Sequence, residues 1–191
     1  MNIAAIKSRL LSHKIYLAVT GATLVVGFIV GVAFNTRLER LFLSASVVEF
    51  YVNALTGKGS LSGLFFAGLF ADVAVMLAFL ATSFLKPLFP LHHAVIFYRG
   101  YVHGLAVGVF LTKFGVSGLM LFIFAVMISD LATSASLIAF STLSFGGFKG
   151  SHARISDRYR CFLLCLALSL AGAVAELLFF LFAVRPLNFT F

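Results

Sequence analysis

The chain has 191 residues, of which 62% are hydrophobic and 10% charged, and its mean hydropathy is +1.12. A soluble domain carries about 25% charged residues, so this composition excludes a soluble globular protein, and the apolar content excludes a disordered one. The apolar runs are long and continuous, whereas the strands of a membrane barrel would alternate apolar and polar residues. The predicted fold class is all-α: one polytopic bundle of membrane helices over residues 1–191.

The net charge of +8 does not indicate nucleic-acid binding. Lys and Arg occur in short clusters between apolar runs, as in the loops of membrane proteins, and no basic stripe is present. We therefore expect membrane lipids, and no nucleic acid, as partners. The two cysteines, Cys161 and Cys165, are too few to complete a zinc site.

Five segments are long enough to cross a hydrocarbon core, which needs about 20 apolar residues. We predict spans at about 15–34, 61–85, 94–111, 118–140 and 161–184. The first follows a basic stretch, but its apolar part is longer than the core of a signal peptide and four more spans follow it. We therefore interpret it as an uncleaved first helix.

The longest loop contains a predicted amphipathic helix at about 36–56. Thr36 and Glu39 form a capping box at its start, apolar residues recur at three- and four-residue spacing, and Gly57 supplies a stop. Such a helix lies on the membrane surface with its apolar face in the headgroup boundary. Packing against an outer partner is the alternative, and the lipid interpretation is preferred.

The loop charges predict the orientation in the membrane. With the N-terminus cytoplasmic, the inner connections carry eight Lys and Arg residues and the outer ones five, and the densest basic cluster, 149–160, lies inside. Basic residues concentrate on the cytoplasmic side. We predict a multi-pass membrane protein with its N-terminus inside and its C-terminus outside.

The common motifs of enzymes, nucleotide sites and zinc sites are missing from the sequence. We therefore expect no catalytic residue, no cofactor and no metal ion, and a protein that is not an enzyme. The adjacent histidines His92 and His93 point in different directions on a helix. They are interpreted as interfacial side chains that cap or snorkel rather than as metal ligands.

Ionisable residues inside the apolar spans are the chief candidates for function, because a charge at the bilayer centre costs about 2.5–3.5 kcal/mol on insertion scales. One hypothesis is a proton or ion relay, or a substrate site. The other, which we prefer because no repeat or broken helix accompanies these groups, is pairing between helices: Arg99 or His103 with Asp130, and a neutral Asp72 or Glu176 hydrogen-bonded across helices. The polar cluster comprises Asp72, Arg99, His103, Asp130 and Glu176.

Glycines at four-residue spacing predict where helices touch, because they let two backbones approach closely. One pair lies in the first span and three such glycines lie along the third span, so this face is expected at the centre of the bundle. The predicted packing glycines are Gly27, Gly31, Gly100, Gly104 and Gly108.

The chain resembles the stage II sporulation protein M family of bacterial membrane proteins over nearly its whole length. The resemblance rests on four stretches: the glycines of the first span with Asn35, the segment 51–58, the segment 96–119 with its glycine repeat and Gly-containing turn, and the last span with Glu176. One departure is at Ile128-Ser129-Asp130, where the family often has a Pro-Gln-Asn stretch.

This resemblance implies a non-enzymatic scaffold that assembles membrane-anchored peptidoglycan hydrolases, stage II sporulation proteins D and P, at the cell membrane or septum during engulfment. The alternative is a small transporter or permease-like subunit that uses Asp72, Asp130 and Glu176. A membrane-embedded enzyme acting on lipid is the third and least favoured hypothesis. Homo-oligomerisation is left open by the sequence.

Overall fold

The structure is a computed structural model that describes residues 12–38, 61–85, 88–125, 127–148, 155–179 and 182. Over these residues the fold is all-helical, with no strand. In chain order the helices are α1 Lys14–Leu38, α2 Leu61–Thr82, α3 Phe89–Ala125, α4 Met127–Phe148 and α5 Ile155–Phe179. The expected amphipathic helix at 36–56 lies outside the described residues, apart from its first three.

Three of the described segments are long and apolar enough to cross a membrane: Lys14–Phe34, Pro90–Thr112 and Arg158–Leu178. They coincide with the first, third and fifth predicted spans and indicate membrane localisation. The second predicted span contains a shorter apolar segment, Leu69–Thr82. The all-helical class is thus confirmed for the described residues, and three of the five predicted spans are found as such.

The chain reverses direction within α3 at Gly115, whose backbone is not helical (φ 61°, ψ −145°). Three contacts between the parts before and after this residue establish the reversal: the rings of Phe110 and Phe122 lie 5.7 Å apart, Arg99 reaches Asp130 and His92 reaches Ser141. A straight helix would separate the first pair by about 18 Å, at 1.5 Å per residue. The predicted third and fourth spans are therefore antiparallel neighbours joined at a glycine.

Contacts between helices give their relative directions. Gly100 and Gly104 of α3 lie against Leu24 and Phe28 of α1, so these two helices run parallel. In the pairs α2 with α3 and α4 with α5, later residues of the first helix contact earlier residues of the second, so the two helices of each pair are antiparallel. The helices α1, α2, the part of α3 before Gly115, α4 and α5 therefore alternate in direction.

The apolar core lies between α2, α3, α4 and α5, and its buried side chains interdigitate. It is formed by large residues with almost no exposure, together with the two cysteines of α5: Met76, Phe79, Ile96, Leu137, Phe140, Cys161, Phe162 and Cys165. The helix α1 packs on the outside of this group, mainly against α3. The glycine face of α3 therefore meets a peripheral helix, whereas it was expected at the bundle centre.

Candidate functional site

Four of the five ionisable residues singled out from the sequence form one ion-pair cluster, here called the Arg99 cluster (Asp72, Arg99, His103 and Asp130). Arg99 Nη1 lies 2.8 Å from Asp72 Oδ1, and Nη2 lies 3.2 Å from Asp130 Oδ1. His103 Nε2 lies 2.5 Å from Asp130 Oδ2. One arginine thus bridges carboxylates from α2 and α4.

Helix geometry brings these groups to one level of the bundle. Arg99 and His103 are four residues apart and lie on the same face of α3. Asp72 lies near the middle of α2, and Arg99 lies near the middle of the apolar segment Pro90–Thr112. The exposed fractions of the four side chains are between 13% and 24%. The charges are therefore held inside the bundle rather than at its ends.

The proton positions in the cluster follow from its hydrogen bonds. His103 Nδ1 donates to the Arg99 carbonyl oxygen, so Nδ1 carries a hydrogen. One further proton lies between His103 Nε2 and Asp130 Oδ2, whichever of the two atoms holds it. Either assignment balances the two carboxyl groups against Arg99 and His103. The Arg99 cluster therefore carries no net charge, as burial in an apolar bundle requires.

Hydroxyl groups extend the cluster to α5. Thr133 donates a hydrogen bond of 2.9 Å to Asp72 Oδ2 and accepts one of 2.6 Å from Ser169. Asp72 is thus paired with a cation, whereas the sequence hypothesis gave it a neutral hydrogen-bonding role. Thr133 and Ser169 were not selected from the sequence. Hydroxyl side chains are common in membrane helices, where they can hydrogen-bond to backbone carbonyl oxygens of their own helix.

Glu176 of α5 lies beside the cluster but is not an ion-pair member of it. Its carboxyl group lies beside Ser129, one residue before Asp130, and among the described residues no Lys, Arg or His side chain forms an ion pair with it. The structure thus brings all five predicted polar residues into one region and divides them into a bridged set of four and one separate carboxyl group.

A second polar group lies at the end of the bundle around His92. This side chain has no exposure, stacks on the Phe79 ring at 4.3 Å and hydrogen-bonds with Thr82 at 2.8 Å and with Ser141 at 3.2 Å. Because Thr82 donates to the Ala78 carbonyl, it accepts from His92 Nε2. His92 is therefore a buried link between α2, α3 and α4, and its interpretation as a snorkelling residue was wrong.

The packing glycines lie at one helix contact. A Cβ atom at Gly27 or Gly31 would overlap the carbonyl oxygen of Phe97 or Tyr101, and one at Gly100 or Gly104 would overlap that of Leu24 or Phe28. The two glycine pairs therefore fit into each other, which brings the backbones of α1 and α3 into contact. Gly108, the third glycine of the repeat in α3, is also buried.

A cavity of about 240 Å³ reaches the Arg99 cluster from the side of the bundle. It lies between α1 and α4, and its surface is almost wholly apolar. Val25 and Leu131 stand at its margin and are each 54% exposed, so it opens laterally rather than toward either end of the bundle. Its lining includes Val25 and Phe28 of α1, His103 and Phe122 of α3, and Asp130 and Leu131 of α4.

Among the described residues no group of three or more His, Cys, Asp and Glu side chains is arranged to hold a metal ion. What the arrangement can do chemically is hold helices together by charge, and hold one proton between His103 and Asp130. No protein-family model matches the chain, and neither does any curated protein or solved structure.

Proposed function

We propose that this protein is a non-enzymatic scaffold of a bacterial cell membrane. The observation that carries the proposal is the ion pairing of the Arg99 cluster across three helices. Its two carboxylates pair with Arg99 and His103 across α2, α3 and α4, with Arg99 Nε left as a buried nitrogen without a hydrogen-bond partner. Thr133 and Ser169 connect the cluster to α5. Groups that are paired in this way stabilise a fixed helix arrangement, which is what a platform for other proteins needs.

The proposed topology has five membrane passes, with the N-terminus inside and the C-terminus outside. The alternating direction of successive helices supports it, because each pass then begins on the side where the previous one ends. The basic residues of the connections support the orientation. The proposed surface helix at 36–56 would lie on the outer side.

The proposed partners are membrane-anchored peptidoglycan hydrolases, in an engulfment-type role at the membrane or septum, and this part of the proposal rests on the resemblance to stage II sporulation protein M. The bundle offers apolar outer faces where such partners could bind. On α1 these include Val26 and Ile29, and on α5 Leu164 and Leu168, all about half exposed.

Site-specific photocrosslinking in native membranes tests the scaffold proposal. A photoreactive residue at Leu164 is exposed on α5, while the matched control at Leu137 is fully buried. We expect wall hydrolases to be captured from Leu164 and from Val26, and not from Leu137. Capture of a transport ATPase or a substrate-binding protein at these positions would contradict the proposal.

A transporter subunit is the second candidate, and the lateral cavity beside Asp130 favours it. A transporter needs an accessible titrating group within the membrane, and Asp130 lies in the cavity wall. The two candidates differ in what Asp130→Asn does to function in the cell: a scaffold should tolerate it, and a transporter should not.

A further inference from the structure

We propose that the outer groove between α2 and α5, here called the α2–α5 groove, binds one phospholipid with an anionic headgroup. The proposal concerns the lipid around the protein and does not rest on the scaffold function. Three observations carry it: two adjoining rows of exposed apolar side chains, a guanidinium group fixed at one end of these rows, and an excess of positive charge at that end of the bundle.

The two rows border the contact of α2 with α5. On each helix the members of a row are spaced by four or seven residues, so they share one face. At one end of the contact Asp72 and Ser169 both hydrogen-bond with Thr133, and at the other the rings of Phe84 and Tyr159 lie 6.2 Å apart. The helices are therefore antiparallel and the rows run side by side. Every member is between 36% and 79% exposed, and the rows are Phe70, Leu77 and Phe84 of α2 and Tyr159, Leu163 and Leu170 of α5.

The length of the α2–α5 groove fits one leaflet of a bilayer. From Tyr159 to Leu170 the helix rises by about 17 Å, at 1.5 Å per residue, and half of a hydrocarbon core of about 30 Å is about 15 Å. The groove begins beside Arg158, the first residue of the membrane-crossing segment Arg158–Leu178, and runs toward the bilayer centre. A single lipid can therefore lie in it, with its headgroup at Arg158 and its acyl chains along the apolar rows.

The polar end of the groove is built around Arg158. Its Nη1 atom donates a hydrogen bond of 2.6 Å to the Ser83 carbonyl oxygen at the end of α2, and its guanidinium carbon lies 5.4 Å from the centre of the Phe84 ring. These contacts fix a positive charge between the two helices where the membrane-crossing segment begins. Tyr159 and Arg160 follow with exposed side chains. A tyrosine suits the headgroup level, and the guanidinium of Arg160 offers donors that match phosphate oxygens.

The charge of this end of the bundle selects an anionic lipid. The N-terminal segment and the connections at this end carry eight Lys and Arg residues but one acidic residue, Asp157. A zwitterionic lipid brings its own ammonium group and leaves this excess as it is, whereas an anionic lipid reduces it. The apolar rows thus hold the acyl chains, and the basic end determines which headgroup is preferred.

Fluorescence quenching by brominated lipids tests the proposal. The chain contains no tryptophan, so Leu163→Trp places a single fluorophore in the α2–α5 groove. The full chain is reconstituted into phosphatidylcholine vesicles that contain either brominated phosphatidylglycerol or brominated phosphatidylcholine. We expect phosphatidylglycerol to occupy the groove at least about tenfold more strongly, since two arginines near a lipid surface contribute about fivefold each. Equal quenching by the two lipids would overturn the proposal.

Val19→Trp is the matched control for general attraction of anionic lipid to a basic surface. Val19 lies five residues after Lys14, the first residue of the segment Lys14–Phe34, just as Leu163 lies five residues after Arg158. It is 50% exposed on α1, which packs mainly against α3. General attraction acts at both positions, and we expect it to give a preference of about twofold or less at position 19. An equal preference at the two positions would show diffuse attraction without a site, and the proposal would be wrong.

Two further variants, each combined with Leu163→Trp, test the headgroup contact. Arg160→Gln removes an exposed cation and should lower the preference for phosphatidylglycerol about fivefold, the equivalent of about 1 kcal/mol for one basic group near a charged lipid surface. Lys14→Gln removes an exposed cation of α1 at the same end and should leave the preference unchanged. Arg158 is kept in both variants because it also joins α2 to α5. An unchanged preference in Arg160→Gln, or an equal loss in Lys14→Gln, would contradict the proposed site.

Discussion

Gly104 of α3 lies against the backbone carbonyl oxygen of Phe28 in α1, so closely that a methyl group has no room between them. The same relation holds one turn earlier for Gly100 and Leu24, and in the reverse sense for the glycines of α1. Contact at this distance is possible because glycine has no side chain. The position of α1 on the bundle therefore depends on the absence of a side chain at these four glycines.

Gly104→Ala should lower the stability of the protein in detergent. Alanine favours a helix over glycine by up to about 1 kcal/mol, but here its methyl group forces two backbones apart, at a cost of about 1–3 kcal/mol, and Gly104→Leu should be worse. The measurement is thermal unfolding of purified variants. Gly21→Ala is the matched control, because nothing lies within 4 Å of its added methyl. Equal melting temperatures for the two alanine variants would show that α1 and α3 do not pack through this face.

Gly115→Ala should destabilise the protein for a different reason. No atom lies within 4 Å of a methyl group at this site, so space is not limiting. The backbone at φ 61° and ψ −145° is nearly exclusive to glycine, and another residue there costs about 1–3 kcal/mol. Thermal unfolding beside Gly21→Ala would measure this cost. An unchanged stability would mean that the two arms of α3 are joined with another backbone geometry.

The turn at Gly115 also shows what a sequence can and cannot determine. A glycine-containing turn between the third and fourth spans was predicted, and its place follows from apolar runs that are too long for one crossing. The pairing across it could not be predicted, because apolar side chains on neighbouring helices have no preferred partners that a sequence reveals. The 5.7 Å contact of Phe110 and Phe122 depends on how the two arms rotate.

Asp130→Asn should fold and retain function if the protein is a scaffold. The amide can still accept from Arg99 and donate elsewhere, so we expect a stability loss of about 1 kcal/mol or less. Asp130→Leu should be clearly more destabilising, because it leaves His103 Nε2 and one side of Arg99 without a partner in an apolar bundle. Thermal unfolding and complementation in the cell measure the two effects. A well-folded Asp130→Asn protein that does not complement would favour the transporter.

Reporter fusions test the proposed orientation. A reporter that is active only in the cytoplasm should be active when fused after Gly150, in the basic connection, and inactive when fused after Phe191. The expected asymmetry follows from the retention of Lys and Arg on the cytoplasmic side. Cytoplasmic activity at Phe191 would exclude the proposed arrangement of five passes with an outer C-terminus.

The residues of the candidate site could be predicted from the sequence because ionisable side chains are rare within apolar segments. Asp72, Arg99, His103, Asp130 and Glu176 stand out for that reason alone. Which of these residues pair with each other was not predictable, because the partners of Arg99 depend on which faces α2 and α4 turn toward α3. Thr133 and His92 were missed or misread for a related reason: a hydroxyl or imidazole side chain is compatible with lipid, interface and core, and only the neighbouring atoms distinguish these.

The order of the residues in the Arg99 cluster has a consequence for biosynthesis. The ribosome makes Asp72 before Arg99, and Asp130 only after both, so the arginine enters the bilayer when α2 can already offer it a carboxylate. The second carboxylate arrives with α4 and completes the cluster. We therefore expect Asp72 to pair with Arg99 already during insertion. Its loss would show first as a lower yield of inserted protein rather than as a lower melting temperature of the molecules that do insert.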